Sequence, residues 1–317
     1  MAAYDIVQHA KVTRDPLLAG VLNALLMRSS IIEEMPWDTI GTLSTRVTRW
    51  KTLPAVTFRK VNGAFSSDIG RYEQLDETVT SLGVDIDVDV MLDRDQAATS
   101  DPRALQTEMA VASMAYTFND QFINGDQASD PDGFNGIKKR VANLPAAQTI
   151  TASANGLDVN ASDANRHTFL DLIEQAIYEL EGDADLIIGN GTSFRQLGSV
   201  TRRLGLLDTT EDQFGRRIRR FGDGGPRLVD IGTKADQSTA IILNTETQGS
   251  SSATTSLYLV RFGAGQYLHG IQEYPTRTKD LGERESQPQM RTRVEWTPGL
   301  AQSNDRSIVR IKGLIWA

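Results

Sequence analysis

The sequence has 317 residues, a formal net charge of -8, 39% hydrophobic residues and 23% charged residues. These fractions lie near those of globular proteins and exclude a chain that is disordered throughout. The acidic balance argues against tight binding of nucleic-acid phosphates, and the absence of cysteine excludes disulfides, thiolate catalysis and sulfur-bound zinc.

The first forty residues predict an arm that carries one short amphipathic helix. Six apolar residues recur at helical spacing after Pro16, namely Leu17, Leu18, Val21, Leu22, Leu25 and Leu26. The apolar stretch 17–27 is too short to span a bilayer, so we expect a soluble chain with no membrane partner. A stripe this small needs a partner surface. The sequence leaves open whether that surface belongs to the same subunit or to a neighbouring copy.

Residues 41–82 predict a long two-stranded ribbon. The stretches 45–51 and 55–61 are rich in Thr, Val and aromatic residues, which favours strands, and 62–68 predicts the turn between them. Such a ribbon is marginally stable alone, and its low apolar content suits a position on a neighbour's surface. The candidate contact residues are Arg46, Arg49, Trp50, Lys51, Arg59 and Lys60 before the turn, and Asp68, Glu73, Asp76 and Glu77 after it.

The clearest strand follows at 84–90, where apolar and acidic residues alternate with period two. Its three carboxylates, Asp85, Asp87 and Asp89, lie on one face. They indicate a solvated face, or one that meets basic residues of another chain, rather than catalytic acids. A long helix is predicted over 101–122, with Asp101 as its N-cap and Pro102 at its first position. This helix forms the spine of a domain.

The second half predicts an α/β unit. Its helices are expected at 169–180 and 193–204, and its strands at 186–188, 216–221, 227–231, 240–244 and 256–262. Two further strands are expected at 290–296 and 307–316. The basic cluster is Arg216, Arg217, Arg219 and Arg220. Without interleaved aromatic residues it is weak evidence for a nucleic-acid contact, and we favour salt bridges to an acidic neighbour.

No pattern in the sequence predicts catalysis, a cofactor or a metal site. The three histidines lack metal-ligand spacing, and no nucleophile elbow occurs. The glycine-rich stretch 222–226 lacks the lysine of a phosphate loop and predicts a turn. The acidic residues Asp126, Asp130 and Asp132 do not complete a calcium loop, because no glutamate closes it. We therefore expect a protein that is not an enzyme.

Taken in order, these elements resemble the major capsid proteins of tailed double-stranded DNA phages, which have the Hong Kong 97-like fold. The resemblance rests on 50–54 within the ribbon, on 84–92 followed by the long helix, and on 122–126 followed by 133–137. It implies an α+β capsid fold. Its expected parts are an N-terminal arm (1–40), an extended E-loop ribbon (41–82), a peripheral domain (83–143) with spine helix 101–122, an axial α/β domain (144–275), and peripheral return strands (276–317).

The resemblance also implies a function. Copies would assemble into the hexamers and pentamers of an icosahedral or prolate head, in the virion after assembly in the host cytoplasm. Implied partners are a separate scaffolding protein, a portal, a cement or decoration protein, and packaged double-stranded DNA that is contacted weakly. Covalent crosslinks known in some members would require Lys51 or Lys60 and Asn304, and we do not expect them. Two alternatives stay open: an encapsulin-like nanocompartment shell, and an α/β enzyme or ligand-binding protein.

Overall fold

A computed structural model describes residues 29–93, 101–204, 207–211, 217–222 and 224–316. The helix predicted at 17–27 lies outside these ranges. The helices are α1 (Ser30–Glu34), α2 (Val90–Asp93), α3 (Pro102–Asn124), α4 (Ile137–Ala142), α5 (Asp163–Glu179) and α6 (Gly191–Leu204), with 3-10 turns at Ala146–Gln148 and Asp305–Ser307. No helix within the described ranges has the length and apolar character needed to cross a membrane.

Seventeen strands are described. They are β1 (Trp37–Thr39), β2 (Ser44–Thr52), β3 (Arg71–Thr78), β4 (Leu82–Asp89), β5 (Thr149–Thr151), β6 (Leu157–Asp158), β7 (Leu186–Gly189), β8 (Leu207–Glu211), β9 (Arg217–Phe221), β10 (Arg227–Asp230), β11 (Glu246–Gln248), β12 (Ser251–Val260), β13 (Leu268–Gln272), β14 (Arg277–Glu283), β15 (Gln289–Trp296), β16 (Pro298–Gln302) and β17 (Ile308–Ile315).

A nine-stranded sheet forms the centre of the fold, with its main path in the order β5-β17-β12-β7-β10-β9-β8. Successive residues of a strand face opposite sides of a sheet. Leu186 and Ile188 of β7 therefore join the core around α3, whereas Ile187 joins the core around α5 and α6. The predicted α/β half thus shares one of its two cores with the spine helix.

Helix α3 is the predicted spine helix and extends two residues beyond the expected end. The side chain of Asp101 accepts a hydrogen bond from the amide of Arg103 at 2.9 Å, and Pro102 occupies the first turn. On the buried side, Phe118 packs against Trp37 and Trp296, with ring centroids at 5.8 and 5.0 Å. Capping and aromatic burial together fix the start and the orientation of this helix.

The N-cap of α3 gives a first prediction. Asp101→Ala is expected to lower the free energy of unfolding by about 1 kcal/mol, because an amide of the first turn loses its side-chain acceptor. Urea denaturation of the unassembled subunit measures this change. Asp101→Ser retains a cap and should recover most of the loss. Glu108→Ala, an exposed change in the same helix, should stay within about 0.5 kcal/mol of the wild type.

Strand β4 pairs along its whole length with β15, which in turn pairs with β14. This three-stranded sheet confirms the strand expected at 84–90 and the return of 290–296 beside it. The last strand departs from expectation, because β17 lies between β12 and β5 in the nine-stranded sheet. Its sequence is apolar on both faces, and Ile308, Val309 and Ile311 are fully buried. Such a strand is stable only at a covered, central position.

The strand predicted at 240–244 is wrong, since only a single bridge joins Ala240 to Thr233. Ile241 and Ile242 are both buried, although they are consecutive. A regular strand would point them to opposite faces. Side-chain amides take the place of a ladder: Asn124 donates to the carbonyl of Ile241 at 2.9 Å, and Asn190 to that of Ile242 at 3.0 Å.

The predicted arm also proves shorter at its C-terminal end. Residues 29–40 belong to the core, where Ile31, Ile32, Met35 and Trp37 are buried. Strand β1 pairs in parallel with β13, which pairs with β16. These four large apolar side chains have a partner surface within the subunit. Only residues before 29 therefore remain as a candidate arm.

Buried His269 on β13 gives a pH prediction. Burial holds its pKa below the ordinary value of 6.5, although nearby Asp38 and Glu77 act in the opposite direction. As the pH falls through 6.5, the imidazole of His269 therefore becomes protonated in the unfolded chain at a pH at which it is still neutral in the folded chain. Stability should decrease below pH 6.5. Urea denaturation at about pH 7.5 and about pH 5.5 measures this loss. His269→Gln should reduce it, whereas His167→Gln, at an exposed site, should not.

Candidate assembly interface

The ribbon predicted at 41–82 is a two-stranded antiparallel sheet of β2 and β3, separate from the other sheets. Its residues alternate between two faces. The inner face includes Val47, which packs against the cluster around Val79 and Ile271 of the same subunit. The outer face presents Trp50 and Tyr72, which are opposite each other and exposed. The base of the ribbon therefore lies on its own subunit.

Most of the candidate charges pair within the ribbon. Arg46 contacts Asp76 at 2.8 Å, Arg49 contacts Glu73 at 2.9 Å, and Lys51 contacts Glu73 at 3.5 Å. The hydrogen bond from Arg49 lowers the pKa of Glu73, and the bond from Arg46 lowers that of Asp76. Opposite charges on directly paired residues stabilise a hairpin. Their contact with a neighbouring subunit stays a prediction.

Two further ion pairs fasten the ribbon to the core. Glu77 accepts hydrogen bonds from both terminal nitrogens of Arg140, at 2.5 and 2.8 Å, and both side chains are nearly inaccessible. Arg140 also donates to the carbonyls of Leu300 and Asn135, each at 2.8 Å. Arg49 reaches the C-terminal 3-10 turn and contacts Asp305 at 2.6 Å. These contacts fix the direction in which the ribbon leaves the subunit.

The outer part of the ribbon, residues 53–70, contains no strand, so the strand predicted at 55–61 is wrong. The ladder ends at the pair Thr52 and Arg71, and Pro54 cannot donate to a continuation of it. Side-chain hydrogen bonds join the segments before and after the turn instead. Asp68 accepts from the amides of Ala55 and Ile69, which lowers the pKa of its carboxyl group.

The predicted turn lies where expected, at the end of the ribbon. Asn62 has a φ of 66°, and the amide of Gly63 donates to the carbonyl of Lys60 at 3.0 Å. Arg59 donates to the carbonyl of Gly63 and lies over the ring of Phe65, 5.1 Å from its centroid. Arg59 and Lys60 thus have roles in the turn itself.

The outer part of the ribbon and the adjoining ends of β2 and β3 expose large apolar side chains, and of these the sequence argument named only Trp50. Phe58 is 107% exposed and Val56 is 92% exposed, relative to their reference states. The others are Trp50, Leu53, Val61, Phe65, Ile69 and Tyr72. Neither helical nor strand periodicity organises these residues. The sequence could have indicated this surface through the number of large apolar residues in a segment that has no partner surface of its own. We call this set the apolar tip.

Two of the three aspartates of the acidic strand β4 pair with arginines of the same chain. Asp85 contacts Arg293 at 2.6 Å, and Asp87 contacts Arg291 at 2.7 Å and Arg284 at 2.9 Å. Hydrogen bonds from Arg293 and Arg291 lower the pKa of Asp85 and of Asp87, respectively. Asp89 accepts from the amide of Met91 at the strand end.

The basic cluster lies on β9, between β8 and β10, close to one end of the nine-stranded sheet. Arg219 is exposed, and Arg220 donates to the carbonyl of Gly225 at 3.0 Å. Arg217 begins the strand, and Arg216 lies outside the described ranges. The salt bridges that we predicted from this cluster to a neighbour remain a prediction.

The described residues contain no cluster of three or more histidine, aspartate or glutamate side chains that could hold a metal ion. In the loop considered for calcium, Asp126 accepts from the Nζ of Lys139 at 2.9 Å and from the amide of Ala128 at 3.0 Å. These bonds give this acidic loop a structural role.

Comparison with known proteins gives one family and several similar folds. The family described as major capsid protein GP7 matches residues 14–164. The holo-SrpI encapsulin complex from Synechococcus elongatus is similar with a TM-score of 0.61 at 14% identity, covering 99% of this chain and 97% of that chain. The capsid of the native GTA particle is similar with a TM-score of 0.60 at 17% identity, covering 92% of this chain and 91% of that chain. No curated protein matches.

A structure of Mycobacterium phage Bobi is similar as well, with a TM-score of 0.57 at 11% identity and 89% of each chain covered. At these identities the likenesses establish the fold. Along the chain, the elements follow the order that the sequence predicted: the ribbon precedes the spine helix, and the α/β unit follows it. The family match over residues 14–164 and the shared fold agree with the capsid fold that the sequence predicted.

Proposed function

We propose that many copies of this chain form a closed shell of hexamers and pentamers, the wall of an icosahedral or prolate head around double-stranded DNA. The apolar tip carries this proposal. It consists of large apolar side chains on a ribbon whose base is fastened to the core, and exposed apolar patches of this kind mark interaction surfaces. A neighbouring copy is the partner that a homo-oligomeric shell supplies at every position.

The energetics favour such a contact. Burying one large apolar side chain contributes about 1.5–3 kcal/mol, and the tip offers eight of them. The Glu77–Arg140 pair and the Arg49–Asp305 contact limit the ribbon's motion before docking. A ribbon that is already oriented loses less entropy on binding. Modest contacts repeated between all neighbours then hold the shell closed.

We propose the following division of labour within the subunit. The arm ends before residue 29, and the ribbon spans 41–82. The peripheral part comprises β4, α3 and the sheet partners β14 and β15. The axial part comprises the nine-stranded sheet with α5 and α6, and includes β17. Charge pairs of the ribbon and the basic cluster of β9 are candidate secondary contacts between copies.

Electron microscopy of the expressed protein tests the shell directly. We expect closed particles, alone or with a co-expressed scaffolding protein. A stable monomer under all assembly conditions would contradict the proposal. We further propose a portal and a cement or decoration protein as partners, and a structural role without catalysis. The chain would assemble in the host cytoplasm and reside in the virion capsid.

The net charge of -8 suits a container whose inner wall does not trap DNA, because like charges repel the phosphates. An electrostatic potential map of the assembled shell tests this point. A strongly positive inner face would count against weak, non-specific DNA contact.

A second candidate function is a nanocompartment shell that encloses an enzyme. Its support is the similarity to an encapsulin complex over 99% of this chain. The content of purified particles distinguishes the two functions. Packaged DNA supports the phage head, and a co-purified cargo enzyme without DNA supports the nanocompartment.

A further inference from the structure

Asparagine is followed directly by glycine at several places in this chain. The pairs begin at Asn62, Asn124, Asn135, Asn155 and Asn190. In such a pair the backbone nitrogen of the glycine can attack the side-chain amide of the asparagine, because glycine has no side chain to hinder the approach. Attack also requires an amide side chain that is free to turn towards this nitrogen. The structure therefore decides which of these pairs can react in the folded subunit.

Two of the pairs have both polar atoms of the asparagine side chain engaged. Asn190 is 3% exposed. Its Nδ2 donates to the carbonyl of Ile242 at 3.0 Å, and its Oδ1 accepts from the amide of Ser193 at 2.8 Å. Asn135 forms two hydrogen bonds with Gln127, at 2.9 and 3.0 Å. Reaction at either asparagine requires a local opening of the fold first.

Two further pairs are restrained through one side-chain atom. Asn124 closes α3, and its Nδ2 donates to Asp120 at 2.8 Å and to the carbonyl of Ile241 at 2.9 Å. Asn155 is exposed, but its Oδ1 accepts from the amide of Ser250 at 3.2 Å. Each of these bonds must break before the side chain can turn.

Asn62 differs from the other four. It is exposed in the turn at the end of the ribbon, and its side chain forms no hydrogen bond with any residue that the structure describes. The attacking nitrogen, that of Gly63, donates to the carbonyl of Lys60 at 3.0 Å. Gly63 and Lys60 are exposed as well, so water can replace this bond. Neither the amide nor the nucleophile is held by the core.

We propose that Asn62 is a site of spontaneous deamidation and reacts faster than the other asparagine–glycine pairs of the folded subunit. The backbone nitrogen of Gly63 bonds to Cγ of Asn62, and its proton passes to the side-chain nitrogen, which leaves as ammonia. The product of this step is a cyclic imide. Water then opens the ring at either of its two carbonyls, which leaves aspartate or isoaspartate at this position. The net reaction consumes water and releases ammonia.

The reaction changes the surface that carries the proposed function, and this consequence rests on that proposal. It places a negative charge between Val61 and Phe65, two members of the apolar tip. Isoaspartate also lengthens the backbone of the turn. Burying a charge costs more than burying a neutral amide. A free subunit that has deamidated should therefore dock less well on a neighbour, which limits how long unassembled subunits remain competent.

Mass spectrometry of tryptic peptides from unassembled subunits tests the site. After incubation in mildly alkaline buffer, peptide 61–71 should convert to its acidic and isoaspartate forms about tenfold faster than Asn155 does within peptide 141–166. In urea, where the restraints are lost, the two rates should become similar. Equal rates in the folded subunit would overturn the proposal. An equally large difference in urea would overturn it too, because local sequence and not structure would then set the rates.

Gly63→Ala is the matched variant for the chemical step. It keeps Asn62 and adds a methyl group beside the attacking nitrogen, so conversion of this peptide should slow while that of Asn155 stays unchanged. The φ angle of Gly63 is not in the left-handed region, and an added Cβ would lie 3.2 Å from the carbonyl oxygen of Lys60. Circular dichroism verifies the fold. Unchanged conversion at Asn62 would contradict attack by this nitrogen.

Aspartate substitutions test the effect on assembly separately. Asn62→Asp reproduces one product and should lower the yield of shells relative to Asn62→Ser. Asn155→Asp adds the same charge to another exposed turn and should leave the yield unchanged. Equal yields from Asn62→Asp and Asn62→Ser would overturn the effect on assembly. The peptide measurements use unassembled subunits, so their outcome does not depend on the proposed function.

Discussion

Replacing residues 53–70 by the two-residue turn Asn-Gly is expected to leave a folded subunit that does not close shells. The ladder of β2 and β3 ends at the pair Thr52 and Arg71, so a tight hairpin can join the strands there. The deleted residues make no strand and add no side chain to the buried core. The free energy of unfolding should change by less than about 1 kcal/mol, whereas assembly loses most of the apolar tip.

Electron microscopy and sedimentation measure assembly, and urea denaturation measures the fold. Point variants narrow the effect to side chains. Val56→Ser together with Phe58→Ser should slow or prevent shell closure, because both side chains are almost completely exposed in the subunit. Tyr178→Ser removes an aromatic residue that is 72% exposed on α5, far along the chain, and serves as the matched control. Normal shells from the shortened ribbon would show that the apolar tip is not an assembly contact.

The structure, rather than the sequence, determines which residues this deletion can remove without damaging the core. A deletion of the whole predicted ribbon would also remove Val79, which is buried with Ile271, and Glu77, which pairs with Arg140. Such a deletion would damage the core. Loss of folding would then say nothing about the role of the exposed part.

Local patterns predicted several elements because each carries its own signal. Alternation in β4 and the capped, uninterrupted stretch of α3 are visible without knowledge of the tertiary fold. Strand β17 is different. Its buried apolar residues indicate a covered strand, but not which sheet covers it. The resemblance placed it with the peripheral strands, and its hydrogen bonds place it beside β12.

The candidate assembly surface could be predicted only in part, because the sequence shows which residues are charged but not which charges lie close together. The sequence shows that Arg46 and Asp76 carry opposite charges, but only the register of β2 and β3 shows that they pair with each other. The same holds for Asp85 and Arg293. Because these charges pair within the subunit, the exposed apolar side chains of the tip are the stronger candidates for contact with a neighbour.

Arg140→Met is expected to destabilise the subunit by about 3–5 kcal/mol, because it leaves the carboxylate of Glu77 buried without a counter-charge. The two side chains are 9% and 11% exposed, so water cannot replace the lost partner. The carbonyls of Leu300 and Asn135 lose donors as well. A change of this size is a large fraction of the stability of an ordinary domain. Urea denaturation of the unassembled subunit measures it.

Two comparisons separate the buried charge from other effects of the substitution. Arg46→Ala removes the arginine of an exposed pair on the same ribbon and should cost much less, since water screens that pair. The double variant Glu77→Leu with Arg140→Met removes both charges, and its loss should be smaller than that of Arg140→Met alone. A double variant at least as unstable as the single one would mean that packing and the carbonyl contacts, rather than the uncompensated carboxylate, dominate this site. Glu77 lies near the end of β3 at which the ribbon joins the core. The same series therefore measures how much the Glu77–Arg140 pair contributes to holding the ribbon on its own subunit.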